Sequence, residues 1–236
     1  MFDLFSDAAK VAAQMEIISS EYGFALWETL YSLALEVLFA YVIGLPVGVL
    51  LVTGEKDGIR PLPRWLMALL NGIINLLRSV PFLILMIIAL PLSKILVGTK
   101  VGTTATIPPM VIAAFPLVAR MVEGSLREVD KGVIEAAQSM GASAPQIVWK
   151  VLLPEAKPSL ISGAVISLTT ILGYGAMAGI IGGGGLGKLA INYGYYNFKN
   201  LVMWVAVIAL VILVQLFQSV GTKIAARCDK RLRHKQ

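Results

Sequence analysis

Five apolar runs separated by polar intervals set the outline of the chain, at about residues 26–52, 65–92, 103–122, 160–181 and 201–225. About twenty helical residues, rising about 1.5 Å each, cross roughly 30 Å of hydrocarbon. None of the runs alternates with period two, as a barrel strand does. Lipid also offers no partner to an open backbone, so the pattern predicts five transmembrane helices and an all-α, polytopic membrane fold. Ahead of them, Phe2, Phe5, Ala8, Ala9, Ala12 and Met15 have the spacing of an amphipathic helix. Residues 1–25 therefore read as a separate segment, lying on the membrane surface or frayed.

The interval from Arg120 to Pro158 is polar and basic, yet patterned. Apart from Gly124, no breaker follows the third run, so helix is predicted to continue to Met140, with Gly141 as the residue that ends it. Ser143-Ala144-Pro145-Gln146 then has the form of a capping box, with Ser at the N-cap, Pro in the first turn and Gln at N3. The next helix, about 144–153, puts Ile147, Val148, Val151 and Leu152 on one side and Lys150 on another. Pro154 is expected to end it, and Pro158 precedes the fourth run. Periodicity leaves two readings open. The short helix inserts its apolar face into a groove on a partner, or it lies flat on the inner leaflet.

Composition supports the membrane reading: 57% of the 236 residues are hydrophobic and 14% charged, against about 25% charged in soluble domains. Lys and Arg assign the sides. Segments 53–64, 120–159 and 223–236 carry three, five and six, whereas 1–25, 93–102 and 184–200 carry one, two and two. The richer side is cytoplasmic, which places the N-terminus outside and the C-terminus inside. The resulting division is an extracytoplasmic segment 1–25, a transmembrane domain 26–226 with a cytoplasmic loop 123–159, and a basic tail 227–236. Asp3, Asp7, Glu16 and Glu21 against Lys10 make the start unlike a cleavable signal peptide. The formal charge of +6 follows from membrane topology and gives no reason to expect nucleic acid. His234, among Lys230, Arg231, Arg233 and Lys235, belongs to a tail drawn to anionic headgroups. Cys228 is the sole cysteine, so no intrachain disulfide is possible. The chain offers no metal-ligand cluster, no Cys/His pair and no nucleophile with a base. Neither an enzyme nor a resident cofactor is expected.

Within the spans, the fourth is rich in small residues, among them Ser162, Gly163, Ser167, Gly173, Gly175 and Gly179, which allow helices to approach closely. Tyr174 and Met177 are the bulky residues among them, able to close a path or to act as lipid-facing or inter-helix filler. Gly182-Gly183-Gly184-Gly185-Leu186-Gly187-Lys188-Leu189 matches G-x-x-x-x-G-K but lacks the Ser or Thr that a phosphate loop requires, and no strand precedes it. It reads as a flexible turn. Arg78 and Glu36 are ionisable residues at membrane depth. Arg78 is expected to donate to a carbonyl freed by Pro81 or to a carboxylate, with a substrate carboxylate as the lesser reading. Glu36 is expected to face water or a subunit interface. Tyr193, Tyr195, Tyr196, Phe198 and Trp204 read first as an interfacial aromatic belt, with docking of an external protein as the second reading.

Glu135-Ala136-Ala137, then Gly141, Ile147 and Leu153-Pro154, resembles the EAA loop of the permease subunits of bacterial ABC importers. Trp27-Glu28-Thr29-Leu30, residues 43–50, Arg78-Ser79-Val80-Pro81-Phe82, Ala119-Arg120-Met121-Val122-Glu123, Gly173-Tyr174-Gly175-Ala176-Met177, Gln146-Ile147-Val148 and residues 150–156 are similar to the methionine importers of that class. The acidic N-terminus departs from their pattern, and no family role is carried to Glu36. The resemblance implies a type I ABC importer permease fold in which Glu135, Ala136, Ala137 and Gly141 mark the loop. Ser143, Gln146, Ile147, Trp149, Leu152 and Pro154 would dock on a separate ATPase. It further implies a homodimer with two ATPase copies and an extracytoplasmic binding protein. Methionine, L- and also D-, would move by alternating access, with Met177 and Tyr174 at a gate. A permease for another small or polar amino acid is the alternative. An ATP-independent channel or secondary transporter fits less well, since five spans and one patterned loop lack the repeats of such proteins.

Overall fold

The computed structural model describes residues 8–228. Among these residues the chain is helical, without a strand. α1 runs from Ala8 to Thr53, α2 from Arg64 to Ser79, α3 from Phe82 to Val97 and α4 from Thr103 to Arg127. Three short helices follow: α5 (Lys131–Ser139), α6 (Ala144–Ile147) and α7 (Leu153–Glu155), the last two joined by a π-helical turn, Val148–Leu152. α8 (Lys157–Ala178) leads through a 3₁₀ turn, Gly179–Ile181, to α9 (Gly185–Lys188), a second π-helical turn, Leu189–Tyr196, and α10 (Asn200–Cys228). Four of these helices are each long and apolar enough to span a membrane, and α2 with α3 makes a fifth if the pair counts as one broken span. α4 is the interior helix, with 61% of its apolar window buried, against 11% for α10.

The chain divides into two compact units. The first comprises residues up to Val37, Pro81–Ile112 and Thr169–Leu216. Its core gathers Ala25, Leu186, Leu189, Val202 and Ala206. The second comprises Leu38–Val80, Ala113–Leu168 and the residues from Phe217 onward. There Leu51, Ile74 and Ala119 pack together, flanked by Val47, Met67 and Leu70.

Three departures from the sequence reading have identifiable causes. Residues 8–25 are not a separate surface helix, because α1 continues through them without a break. Polar contacts hold this stretch. Tyr22 Oη donates to the Val205 carbonyl at 2.5 Å, Tyr193 Oη donates to Glu21 at 2.5 Å, and Gln14 Oε1 accepts from Leu201 N at 3.0 Å. Phe2, Phe5, Asp3 and Asp7 lie outside the described residues, as do Lys230, Arg231, Arg233, His234 and Lys235.

The second predicted span is interrupted. Pro81 has no N–H and forces the residue before it out of helical geometry, and Val80 is extended at φ −78°, ψ 130°. Helix from the third span also fails to reach Met140. It stops at Arg127, and Asp130 caps a new helix, its Oδ1 accepting from Gly132 N at 2.6 Å.

Candidate functional site

The loop after α4 is built on an ionic base. Arg120 donates to Glu123 at 2.6 Å and to the side-chain carbonyls of Asn71 and Asn75 at 2.9 Å each. Arg127 donates to Glu123 at 2.8 Å and reaches Glu55, in the turn after α1, with both terminal nitrogens. Charge-assisted, forked bonds of this kind fix orientation as well as adding energy. They tie the turn after α1 and the helix α2 to the last turns of α4, which ends three residues before the Asp130 cap of α5.

The Arg127 guanidinium holds the Glu55 carboxyl below its ordinary value of 4.5. A depressed carboxylate contributes stability above its unfolded pKa and loses it as pH falls through the folded one. Glu55→Gln is therefore expected to remove a small acid-side loss of stability below about pH 4.5. The check is melting temperature in detergent between neutral and acid pH. The pair is 46% and 44% exposed, so the shift at neutral pH should be slight.

α5 ends in a Schellman motif. Gly141 sits at φ +76°, its N–H donates to the Gln138 carbonyl, and Ala142 N–H reaches Ala137. Only glycine takes that left-handed position without strain. The Gln146 side-chain oxygen then accepts from Ser143 N at 2.8 Å, closing the start of α6. The run does not end at Pro154. In the π-helical turn, Leu153 N–H bonds to the Val148 carbonyl five residues back. With that wider spacing, the missing proline donor falls where helix can continue through Glu155.

Ile147 is 1% exposed and Leu152 0%, so the expectation that both face a partner is corrected. α5 lies against α6 and the π-helical turn, the two elements that carry them. Ala137 is also buried. The other expected site residues of the loop, Glu135, Ala136, Gly141, Ser143, Gln146 and Pro154, are exposed, as are Met140 at 82% and Trp149 at 70%. Beside it lies an open cavity of about 580 Å³ whose lining includes Glu128, Asp130 and Glu155 and no basic residue. A carboxylate gains nothing there.

In the first unit, Tyr174 stacks on Phe82 with ring centroids 4.1 Å apart, and Met177 is half-exposed. Arg78 is exposed and has no side-chain partner among the described residues, so the expected carbonyl or carboxylate contact is not formed. Glu36 does not face outward. It is buried, and with Thr29 and Ser32 it lines a cavity of about 20 Å³, room for about one water.

The glycine-rich segment is not a loose turn either. Gly185 N–H donates to Glu28 at 2.9 Å and Leu186 N–H to Thr29 Oγ1 at 2.9 Å. Thr103 Oγ1 donates to the other Glu28 oxygen at 2.5 Å. Sequence reasoning missed these contacts because Glu28 and Thr29 lie 75 and 157 residues from the groups they bond. The available signal was a carboxylate and a hydroxyl side by side within an apolar helix.

The family model described as "Binding-protein-dependent transport system inner membrane component" matches residues 40–234. A Vibrio cholerae protein described as "Probable D-methionine transport system permease protein MetI" is 47% identical over 210 residues, covering 88% of this chain and 92% of its own length. The Bacillus subtilis "Methionine import system permease protein MetP" is 47% identical over 164 residues, 70% of this chain and 74% of that one. A solved structure described as "Inward facing conformations of the MetNI methionine ABC transporter" superposes with a TM-score of 0.84 at 44% identity. It covers 86% of this chain and 94% of that chain.

Proposed function

We infer, from the premise that the chain belongs to the family of binding-protein-dependent transport system inner membrane components, that it is the permease subunit of an ATP-driven methionine importer. One observation carries the cargo assignment: relatives named for methionine transport share 47% identity across as much as 89% of this chain. Two copies of the chain would enclose the pathway, each with an ATPase subunit seated on the α5–α7 loop at the cytoplasmic face. An external binding protein would deliver methionine to the opposite face. The binding protein does the selecting, so both L- and D-methionine are proposed as cargo.

The mechanism follows from how the loop is mounted. ATP binding draws the two ATPase subunits together, and each pulls on its loop. Because α4 is clamped to α2 and to the turn after α1 by Arg120, Glu123 and Arg127, a displacement of the loop reaches three elements at once. Rigid elements with two arrangements are what alternating access requires. Tyr174 and Met177, on the small-residue helix α8, are proposed to close the pathway until that displacement arrives.

The decisive measurement is uptake of labelled methionine by proteoliposomes holding the permease, its ATPase and its binding protein. Uptake is expected only with ATP and the binding protein together, and excess unlabelled D-methionine should compete. Equal uptake by the permease alone would overturn the reading in favour of a channel or secondary transporter.

A further inference from the structure

We propose that Glu28 and Thr29 are positioning residues for the gate: they pin the glycine-rich segment 182–187 against the last turn of α8, on either side of Met177. The proposal rests on the reading of Tyr174 and Met177 as the closing residues.

Gly183, Gly184, Gly185 and Gly187 lie closer to their neighbours than a side chain would permit. A Cβ on Gly187 would stand 2.3 Å from the Ala176 carbonyl oxygen, and one on Gly183 would stand 2.7 Å from that of Ala178. Met177 lies between those two residues. Gly179 in turn meets the Gly187 backbone, its Cβ falling 2.7 Å from the carbonyl carbon. Backbone therefore crosses backbone here, and the end of α8 cannot move without carrying the segment with it.

Glu28 and Thr29 hold that crossing from α1. Each Glu28 oxygen accepts one bond, from Thr103 Oγ1 and from Gly185 N–H. Thr29 Oγ1 accepts from Leu186 N–H while donating to the Ala25 carbonyl. These two amides open α9, where helix geometry supplies no partner, and Gly185 and Leu186 are buried, so no water replaces the side chains. The fit is tight. A Cβ on Gly184 would fall 1.9 Å from Thr103 Oγ1 and 2.6 Å from Glu28, and Gly185 sits at φ +78°. These contacts, rather than a phosphate, account for the run of glycines.

Glu28 acts here as a hydrogen-bond acceptor toward neutral donors, which makes a sharp distinction between variants. Glutamine keeps both contacts, its carbonyl accepting from Gly185 N–H and its amide donating to the Thr103 oxygen, whereas leucine keeps neither. In methionine-loaded proteoliposomes of the assembled transporter, Glu28→Leu is expected to raise ATP-independent efflux about tenfold, with Glu28→Gln close to wild type. Thr29→Val, which loses a single acceptor, should fall between and serves if Glu28→Leu does not fold. Efflux from folded Glu28→Leu and Thr29→Val proteins equal to wild type overturns the proposal. So does Glu28→Gln leaking as fast as Glu28→Leu, since charge would then be the cause. Amide exchange of residues 182–188 in the purified permease separates this from the transport reading. Protection should drop in Glu28→Leu and persist in Glu28→Gln even if the wild-type transporter moves no methionine, and unchanged protection in Glu28→Leu sinks the latch itself.

Discussion

Trp149→Glu is expected to abolish ATP-driven methionine uptake while leaving the melting temperature of the permease unchanged. Trp149 is 70% exposed on a π-helical turn whose neighbours Ile147 and Leu152 are buried, so its ring contributes little to the fold. A tryptophan held on a rigid backbone and open to solvent is the residue type that most often dominates an interface, truncation commonly costing about 2 kcal/mol or more. That is about a 30-fold loss of affinity, and a carboxylate driven into an apolar cleft should lose more. The measurements are retention of the ATPase subunit during size exclusion, and uptake. Ile147→Ala is the informative control. Removing a buried side chain should lower the melting temperature, by about 2–5 kcal/mol in stability, while molecules that remain folded still retain the ATPase. If Trp149→Glu kept both ATPase and uptake, the α5–α7 loop would not be the docking surface.

That contrast marks where sequence was sufficient and where it was not. The apolar runs, Gly141 as a helix terminator and Ser143 with Gln146 at a helix start are local in origin, set by hydropathy or by groups a few residues apart. Periodicity was enough to read them. Ile147 and Leu152 have the same spacing whether they face a partner or their own chain. The difference lies in α5 folding back on α6, a tertiary fact that a helical wheel does not contain. The bonds of Arg120 and Arg127 were out of reach for a related reason. Counted as positive charges the two arginines report topology, but Arg127 bonds Glu55, 72 residues away in the sequence, and Arg120 bonds Asn71, 49 away. The glycine-rich segment is the clearest case. A consensus reading compares it with phosphate loops and, finding no match, leaves it as a flexible turn. Only the approach of Ala176, Ala178, Thr103 and Glu28 explains why side chains are missing there.

Gly48→Leu is expected to leave almost no folded permease, because the glycine lies where two helices touch. Gly44 and Gly48 stand four residues apart on one face of α1. A Cβ at position 48 would lie 2.7 Å from the Ala119 carbonyl oxygen and 2.7 Å from the Val122 side chain, and one at 44 would lie 2.7 Å from Val118. Val118, Ala119 and Val122 on α4 are buried to 1% or less, so none can swing into open space. In lipid, close packing of this kind supplies much of what holds helices together, since no hydrophobic drive favours protein over acyl chain. Forcing α1 and α4 apart therefore removes the contact and offers no substitute. Gly48→Ala should cost about 1–3 kcal/mol by overpacking, read as a fall in melting temperature in detergent. Gly48→Leu should show as loss of the monodisperse peak on size exclusion. Gly72 provides the opposite sign. It lies within α2 with nothing inside 4 Å of its would-be Cβ, so Gly72→Ala removes only backbone freedom and should stabilise by about 0.5–1 kcal/mol. Equal effects at 48 and 72 would mean that helix propensity, rather than the α1–α4 contact, sets stability at these positions.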